Sequence, residues 1–488
     1  SNYAVIYKKQ GKDPNEKKMT KPEITPIITN RDVTSPFLVE VQESAVKPIE
    51  PVFLDYQKDM SQLKAKSDIP VLYKQNVAND LFQLIYVFDM GNNHDKALGT
   101  AFDYLEYLGT SDMTPEELKS EFYRLACTFY VSPGNERTYV VLSGLNENMP
   151  AAVQLFEKLL ADAQVNKEAY TNMTSDILKA RSDAKLNQGQ NFSRLMSFAM
   201  YGPKSPATNL LTEAELTNMN PQELVDRIHN QNSYKHRILY YGPSSSKDLL
   251  ATINQYHQVP AALKDIPAGN EYSYLETPVT KVLVAPYDAK QIYMAQISNL
   301  DKKYDPAIEP IRALYDEYFG GGMNSIVFQE MRETRGLAYS AWASIMPPSY
   351  LKYPYVLRTQ IATQNDKMID AVTTFNDIIN NMPESEAAFK LAKDGLTNRL
   401  RTERIIKGDI IWSYINAQDL GQNVDPRIKL YNDIQNMSLK DIVDFQKQWV
   451  KGRTYVYCIL GDKKDLELDK LKAVGPIEEL TQEQIFGY

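Results

Sequence analysis

The sequence predicts an α+β protein made of two successive copies of one sheet-and-helix sandwich. Three observations carry that prediction. Landmarks recur at a near-constant offset, strands precede helices within each copy, and a proline-dense stretch sets the first 51 residues apart.

That first stretch holds six of the 26 prolines, Pro14, Pro22, Pro26, Pro36, Pro48 and Pro51. Proline fixes φ and removes a backbone donor, so the stretch is expected to run extended as an interdomain linker. Tyr3-Ala4-Val5-Ile6-Tyr7 alternates like a strand already under way rather than like a secretory leader. Residues 1–51 are therefore expected to be the end of a preceding domain followed by a linker, as if the chain began at the tail of something larger.

Past the linker the sequence repeats itself. Asn148-Met149-Pro150 leads into a helix with Val153, Phe156, Leu159 and Leu160 on one face, and Val372, Phe375, Ile378 and Ile379 recur 219 residues later. Asp176 to Arg181 is matched by Asp394 to Arg399, and Asn218-Met219 with Leu224-Val225-Asp226 by Asn436-Met437 with Ile442-Val443-Asp444, all shifted by 218. Strand-like runs then close each copy at a glycine, Arg237 to Gly242 and Thr454 to Gly461. Upstream, Glu106 to Gly109 is answered by Glu317 to Gly320, shifted by 211. Amphipathic helices share apolar spacing, but not a fixed offset across separate landmarks. The unit of about 210 residues is far longer than a solenoid repeat of ~20–50 residues. The expected domains are 52–272 and 273–488.

Within each copy, strand patterns come first, Leu81 to Phe88 and Gln291 to Ile297, and others follow at Thr138 to Leu142 and Tyr355 to Ile361. Long helical patterns come next, then the closing strand. Segregated strands and helices point to a sandwich with the sheet on one side and helices on the other.

Composition removes several function classes. A net charge of −8 argues against a general nucleic-acid binder, because phosphate recognition needs a basic face. No apolar run reaches the ~18–20 residues that span a bilayer. The two cysteines, Cys127 and Cys458, cannot build a disulfide framework; they read as two buried free thiols, with one long-range disulfide as the alternative.

Metal and nucleotide motifs are missing. The four histidines, His94, His229, His236 and His257, begin neither His-x-x-Glu-His nor His-Glu-x-x-His, and they read as polar surface residues. The chain is expected to bind no catalytic zinc unaided. Gly320-Gly321-Gly322 lacks the Lys-Ser/Thr of a phosphate loop and reads as a turn before a helix. No Gly-x-Ser-x-Gly elbow occurs.

The informative stretch runs from Phe319-Gly320-Gly321-Gly322 to Arg335-Gly336-Leu337-Ala338-Tyr339-Ser340. A glycine turn opens a helix whose Ile326, Val327 and Met331 can face a core, and Gly336 ends it. Arg332 falls in the last turn and Tyr339 at the start of the next strand. Five guanidinium donors and one phenol can grip peptide carbonyls or a carboxylate. From chemistry alone a second reading stays open, with Arg332 paired to Glu333 or Glu330 and Tyr339 half-buried.

This segment closely resembles the signature of the second half of M16 (pitrilysin/insulinase-like) zinc metallopeptidases, and the similarity extends over nearly the whole chain after the linker. The resemblance implies a tandem pair of M16-type sandwich domains, each an antiparallel sheet with helices packed on one side. It implies that Arg332 and Tyr339 bind substrate. In such enzymes the first half holds the zinc through a His-x-x-Glu-His helix and a distant Glu, and two bowl-shaped halves close around an unfolded peptide. Here Thr100-Ala101-Phe102-Asp103-Tyr104, anchored on Gly109-Thr110, stands where the zinc motif is expected, and the helix near Asp176 to Ala180 offers no Glu.

The expected protein is thus the C-terminal, substrate-binding half of a zinc metalloendopeptidase, with no catalytic residue and no metal ligand in this chain. Its partners would be the N-terminal half of the same polypeptide, or a catalytic M16 subunit, and an unfolded peptide. A bacterial envelope or periplasmic location follows from the family alone. The alternative is a non-catalytic structural or peptide-binding subunit. A small-molecule enzyme finds no supporting constellation.

Overall fold

The computed structural model describes residues 2–7, 35–45, 47–288, 291–464 and 466–488, with Gln42 and Tyr339 described by backbone alone. Residues 1–49 and 50–488 form two compact units. In the first, most of the expected linker, including Pro14, Pro22 and Pro26, lies outside the described residues. One expectation is corrected there, and residues 2–7 carry no strand pairing among the described residues. Pro36–Glu43 is a helix rather than extended chain. Ser35 caps it by accepting from the Leu38 N–H at 3.2 Å, and Pro36 stands in the first turn, where a missing donor costs nothing.

The second unit contains two six-stranded sheets. The first comprises β1 (Ser61–Lys64), β2 (Pro70–Gln75), β3 (Leu81–Phe88), β4 (Cys127–Pro133), β5 (Thr138–Leu145) and β6 (Arg237–Gly242), in the order β1-β2-β6-β3-β5-β4. The second comprises β7 (Lys281–Pro286), β8 (Gln291–Lys303), β9 (Ala338–Met346), β10 (Pro354–Gln364), β11 (Val456–Gly461) and β12 (Ile477–Glu479), in the order β12-β7-β11-β8-β10-β9. Five positions correspond one to one, so the duplicated landmarks are a duplicated topology. Most pairs are antiparallel, and each glycine-ended closing strand, β6 or β11, adds a parallel pairing to β2 or β7.

Each sheet buries one face under helices of its own copy. Val153, Phe156, Leu159 and Leu160 pack in the first core beside Phe82, Leu84, Tyr86 and Phe88. Val372, Phe375, Ile378 and Ile379 pack in the second beside Ile292 and Met294. The opposite faces are covered by an exchange. Phe192, Leu195 and Ala199 of the Gln188–Tyr201 helix pack on Ala295, Ile297, Cys458 and Leu460 of the second sheet. Reciprocally, Ile410, Ile411, Ile415 and Ala417 of the Asp409–Asp419 helix pack on Leu72, Ile85, Val87 and Leu239 of the first. Phe192 and Ile410, like Ala199 and Ala417, are 218 apart, the offset of the duplication. This exchange explains why Leu84 to Phe88 is apolar without a break: even positions meet one helical layer and odd positions the other.

An ion-pair cluster fixes one end of the exchanged helix. Arg137 donates from both terminal nitrogens to Asp419 at 2.6 Å and from Nε to Asp89 at 2.6 Å, and Asp89 also accepts from Arg237 at 2.8 Å. Cys127 and Cys458 are buried free thiols in different sheets; burial pushes Cys458 up to about 12. Among the described residues, no helix is long and apolar enough to cross a membrane.

Candidate functional site

The segment from Phe319 to Ser340 is shaped by two glycines with separate jobs. At the end of the Glu309–Phe319 helix, Gly320 lies against β9, where a Cβ would stand 2.1 Å from the carbonyl oxygen of Ala343. Only glycine lets that helix approach the strand so closely. Buried Ser325 then caps a helical turn, Ile326–Phe328, which widens into a π-helical turn at Gln329–Thr334. Ile326, Val327 and Met331 anchor this turn in the core. Gly336, at φ +57°, closes it in the left-handed region. Its N–H donates to Arg332 O at 3.0 Å, and the Leu337 N–H donates to Met331 O at 2.9 Å. Wide turns of this kind cluster at functional sites.

Arg332 sits in the π turn, partly exposed. Its guanidinium lies 4.9 Å from the centre of the Phe328 ring, and Nε is 3.6 Å from a Glu333 carboxylate oxygen. Glu330, the other acidic neighbour, pairs instead with Arg335 at 3.5 Å, while Arg335 donates to Thr374 at 3.0 Å. Lys367 donates to Gly336 O at 2.9 Å and Thr363 to Leu337 O at 2.6 Å, so the turn is tied to the neighbouring helix and strand. Tyr339 lies in β9, where the register passes from Thr363↔Ala338 to Ala362↔Ser340 and skips it. That bulge leaves the Tyr339 backbone out of the ladder register. The side chain of Tyr339 lies outside the described structure.

Thr100 to Tyr104 fall on the Leu98–Leu105 helix, and Asp176 to Ala180 on the Lys167–Lys185 helix. Gly99, Thr100 and Asp103 line the same cavity as Ile177, Ala180 and Arg181, so the two expected ligand positions do converge. The donors there do not fit zinc. Phe102 is buried, and the buried Tyr104 hydroxyl is spent on Asn166, donating to its carbonyl at 2.6 Å. Asp103 supplies the one carboxylate side chain among the lining residues, without imidazole or thiolate, and Arg181 and Arg194 line the cavity with positive charge. Among the described residues, no group of three or more His, Cys, Asp and Glu side chains is arranged to hold a metal ion.

Two of the four histidines, His236 and His257, correct the reading of them as surface residues, whereas His229 is exposed. His236 and His257 are buried, their Nε2 atoms 2.9 Å apart, and His257 Nδ1 lies 2.6 Å from Glu157 Oε1. The other Glu157 oxygen accepts from Asn232 Nδ2 and the Gln258 N–H, both at 2.9 Å. Because a carbonyl only accepts, His236 Nδ1 carries the proton given to Tyr234 O at 2.7 Å, and its Nε2 accepts from His257. Burial, followed by the charge of His257, lowers His236 from the ordinary 6.5 to about 4.

The unfolded imidazole therefore takes a proton below about pH 6.5 that the folded one refuses until about pH 4. Stability from this group is complete above 6.5 and falls on acidification through that window, by on the order of 3 kcal/mol. Denaturation midpoints compared between about pH 7 and pH 4.5 should show a slope that His236→Gln reduces. Equal slopes for the two proteins would contradict this arrangement. The signal that reveals such a cluster is tertiary: Glu157, His236 and His257 come from three separate elements.

Residues 238–396 match the family model described as the peptidase M16 inactive domain. The chain is 23% identical over 422 residues to the "Non-peptidase homolog YmxG" of Helicobacter pylori, covering 82% of this chain and 93% of that protein. It is 20% identical over 263 residues to an "Uncharacterized zinc protease" of Rickettsia felis, covering 51% of this chain and 60% of the other. The crystal structure of a peptidase M16 inactive domain from Pseudomonas fluorescens superposes with a TM-score of 0.64 at 15% identity, over 83% of this chain and 98% of that one. The periplasmic protease PqqL from Escherichia coli superposes at 0.66 with 13% identity, over 86% of this chain and 48% of PqqL. The ferredoxin protease FusC, in complex with Arabidopsis ferredoxin, superposes at 0.62 with 11% identity, over 91% of this chain and 48% of FusC.

Proposed function

We propose that this chain, whose residues 238–396 match the peptidase M16 inactive-domain model, acts as the non-catalytic, substrate-binding half of a zinc-dependent M16 peptidase. Residues 52–272 and 273–488 would be its two sandwich repeats. The zinc and the general base would belong to a catalytic half, in the same polypeptide or in a separate M16 chain, and the assembly would work in a bacterial periplasm or envelope. In this reading Arg332 and Tyr339 hold the backbone of an unfolded peptide. The observation that carries it is the cationic, ligand-poor cavity beneath Thr100 and Asp103, in a chain that also carries a core-anchored π turn presenting Arg332. A guanidinium on a rigid turn loses little freedom when it donates to a peptide carbonyl or carboxylate.

Arg332→Ala should weaken binding of a labelled unfolded peptide by roughly tenfold to a hundredfold, as for loss of a charge-assisted hydrogen bond. The thermal midpoint should stay nearly unchanged, since Arg332 is partly exposed. Tyr339→Phe should act in the same direction. Fluorescence anisotropy reads both, and affinities within twofold of the parent would sink the assigned role. The reading as a purely peptide-binding subunit is favoured by one observation: the relative named a non-peptidase homolog is covered over 93% of its length. Peptide binding that no catalytic M16 chain converts into cleavage would decide for it.

A further inference from the structure

We propose that the cavity between the Leu98–Leu105 and Lys167–Lys185 helices binds an oxyanion, a carboxylate or a phosphate, between Arg181 and Arg194. This site is independent of the role given to Arg332. The cavity measures about 390 Å³, and Arg181 and Arg194 both line it. Each guanidinium is held by a backbone carbonyl and an aromatic ring. Arg181 donates to Leu211 O at 2.7 Å and lies 5.1 Å from the centre of the Tyr488 ring. Arg194 donates to Ala207 O and lies 5.7 Å from the centre of the Phe486 ring. One hydrogen bond apiece leaves most of the five donors of each fork unspent.

Among the described residues, neither arginine has a carboxylate partner within ion-pair distance. Lys96, which also lines the cavity, is neutralised by Glu215 at 2.5 Å. Asp103 stands exposed at the rim, where partial desolvation and the charge of Glu106 hold its carboxyl above the usual range. Arg181 in turn is held below the ordinary arginine range, by burial and by the charge of Arg194. Two like charges on one half-buried wall repel each other, and a bound anion reverses the sign of that interaction. Paired guanidinium forks match the planar oxygens of a carboxylate or the face of a phosphate. Thr100 lines the cavity from the Leu98–Leu105 helix and adds a hydroxyl donor.

The test is calorimetric titration of the full chain with three probes: inorganic phosphate, a short peptide with a free C-terminal carboxylate, and the same peptide amidated. Saturable binding is expected for phosphate, or for the free-acid peptide but not its amide, and this contrast identifies the source of the anion. Arg194→Gln and Arg181→Gln should each weaken binding by about tenfold or more. Thr100→Asp places a carboxylate in the cavity lined by the two arginines; it should abolish binding and raise the thermal midpoint, which separates loss of the site from loss of the fold. Absence of saturable binding for both phosphate and the free-acid peptide, or undiminished binding in Thr100→Asp, would overturn the proposal.

Discussion

Replacing Arg137 with alanine should cost about 3–5 kcal/mol of folding stability, the range expected when one partner of a buried ion pair is removed. The side chain is 12% exposed, and its main partner Asp419 is 16% exposed, so neither charge is well hydrated. Asp89 keeps Arg237 after the substitution, but the bidentate contact to Asp419 goes altogether. The effect should be local before it is global. Asp419 ends the helix that carries Ile410, Ile411, Ile415 and Ala417 onto the first sheet, so hydrogen exchange should accelerate over residues 409–419 first. Asp419→Asn in the Arg137→Ala background should recover part of the loss by removing the stranded charge. A loss below about 1 kcal/mol in chemical denaturation would mean that the exchanged helix is held by its apolar face alone.

Glu157→Ala should be comparably severe, about 3–5 kcal/mol, because it strands several buried polar groups at once. Glu157 is 1% exposed; its removal leaves His257 Nδ1, Asn232 Nδ2 and the Gln258 N–H without their acceptor. Glu157→Gln is the control. Its carbonyl oxygen can still accept from Asn232 and Gln258, and its amide can donate to a neutral His257, so the loss should stay under about 1–2 kcal/mol. Equal losses for the two variants, measured by denaturant unfolding, would show that the site responds to volume rather than to hydrogen bonding.

The duplication was legible because it resides in the order of letters. Val153 to Leu160 and Val372 to Ile379 face their cores as their spacing requires, and the glycine-ended runs are β6 and β11. The turn around Arg332 was legible in part. Its glycines and core anchors were plain, whereas nothing in Gln329 to Thr334 signals that the turn widens to π geometry. The helix exchange was hidden, although Phe192 and Ile410 keep the offset. An apolar helix face says that it will be covered, not by which sheet. The histidines failed for the same reason. His236 and His257 look like surface residues until Glu157 and Tyr234 O are placed beside them by the fold.

The role proposed for this chain is to grip an unfolded peptide while a catalytic half cuts it. Its most direct test is zinc-dependent cleavage of a quenched, unfolded peptide, measured for this chain alone and for the chain mixed with an M16 half that carries a His-x-x-Glu-His motif. The account predicts no cleavage by the chain alone at any zinc concentration, and chelator-sensitive cleavage in the mixture that Arg332→Ala reduces. Chelator-sensitive cleavage by the chain alone would contradict it.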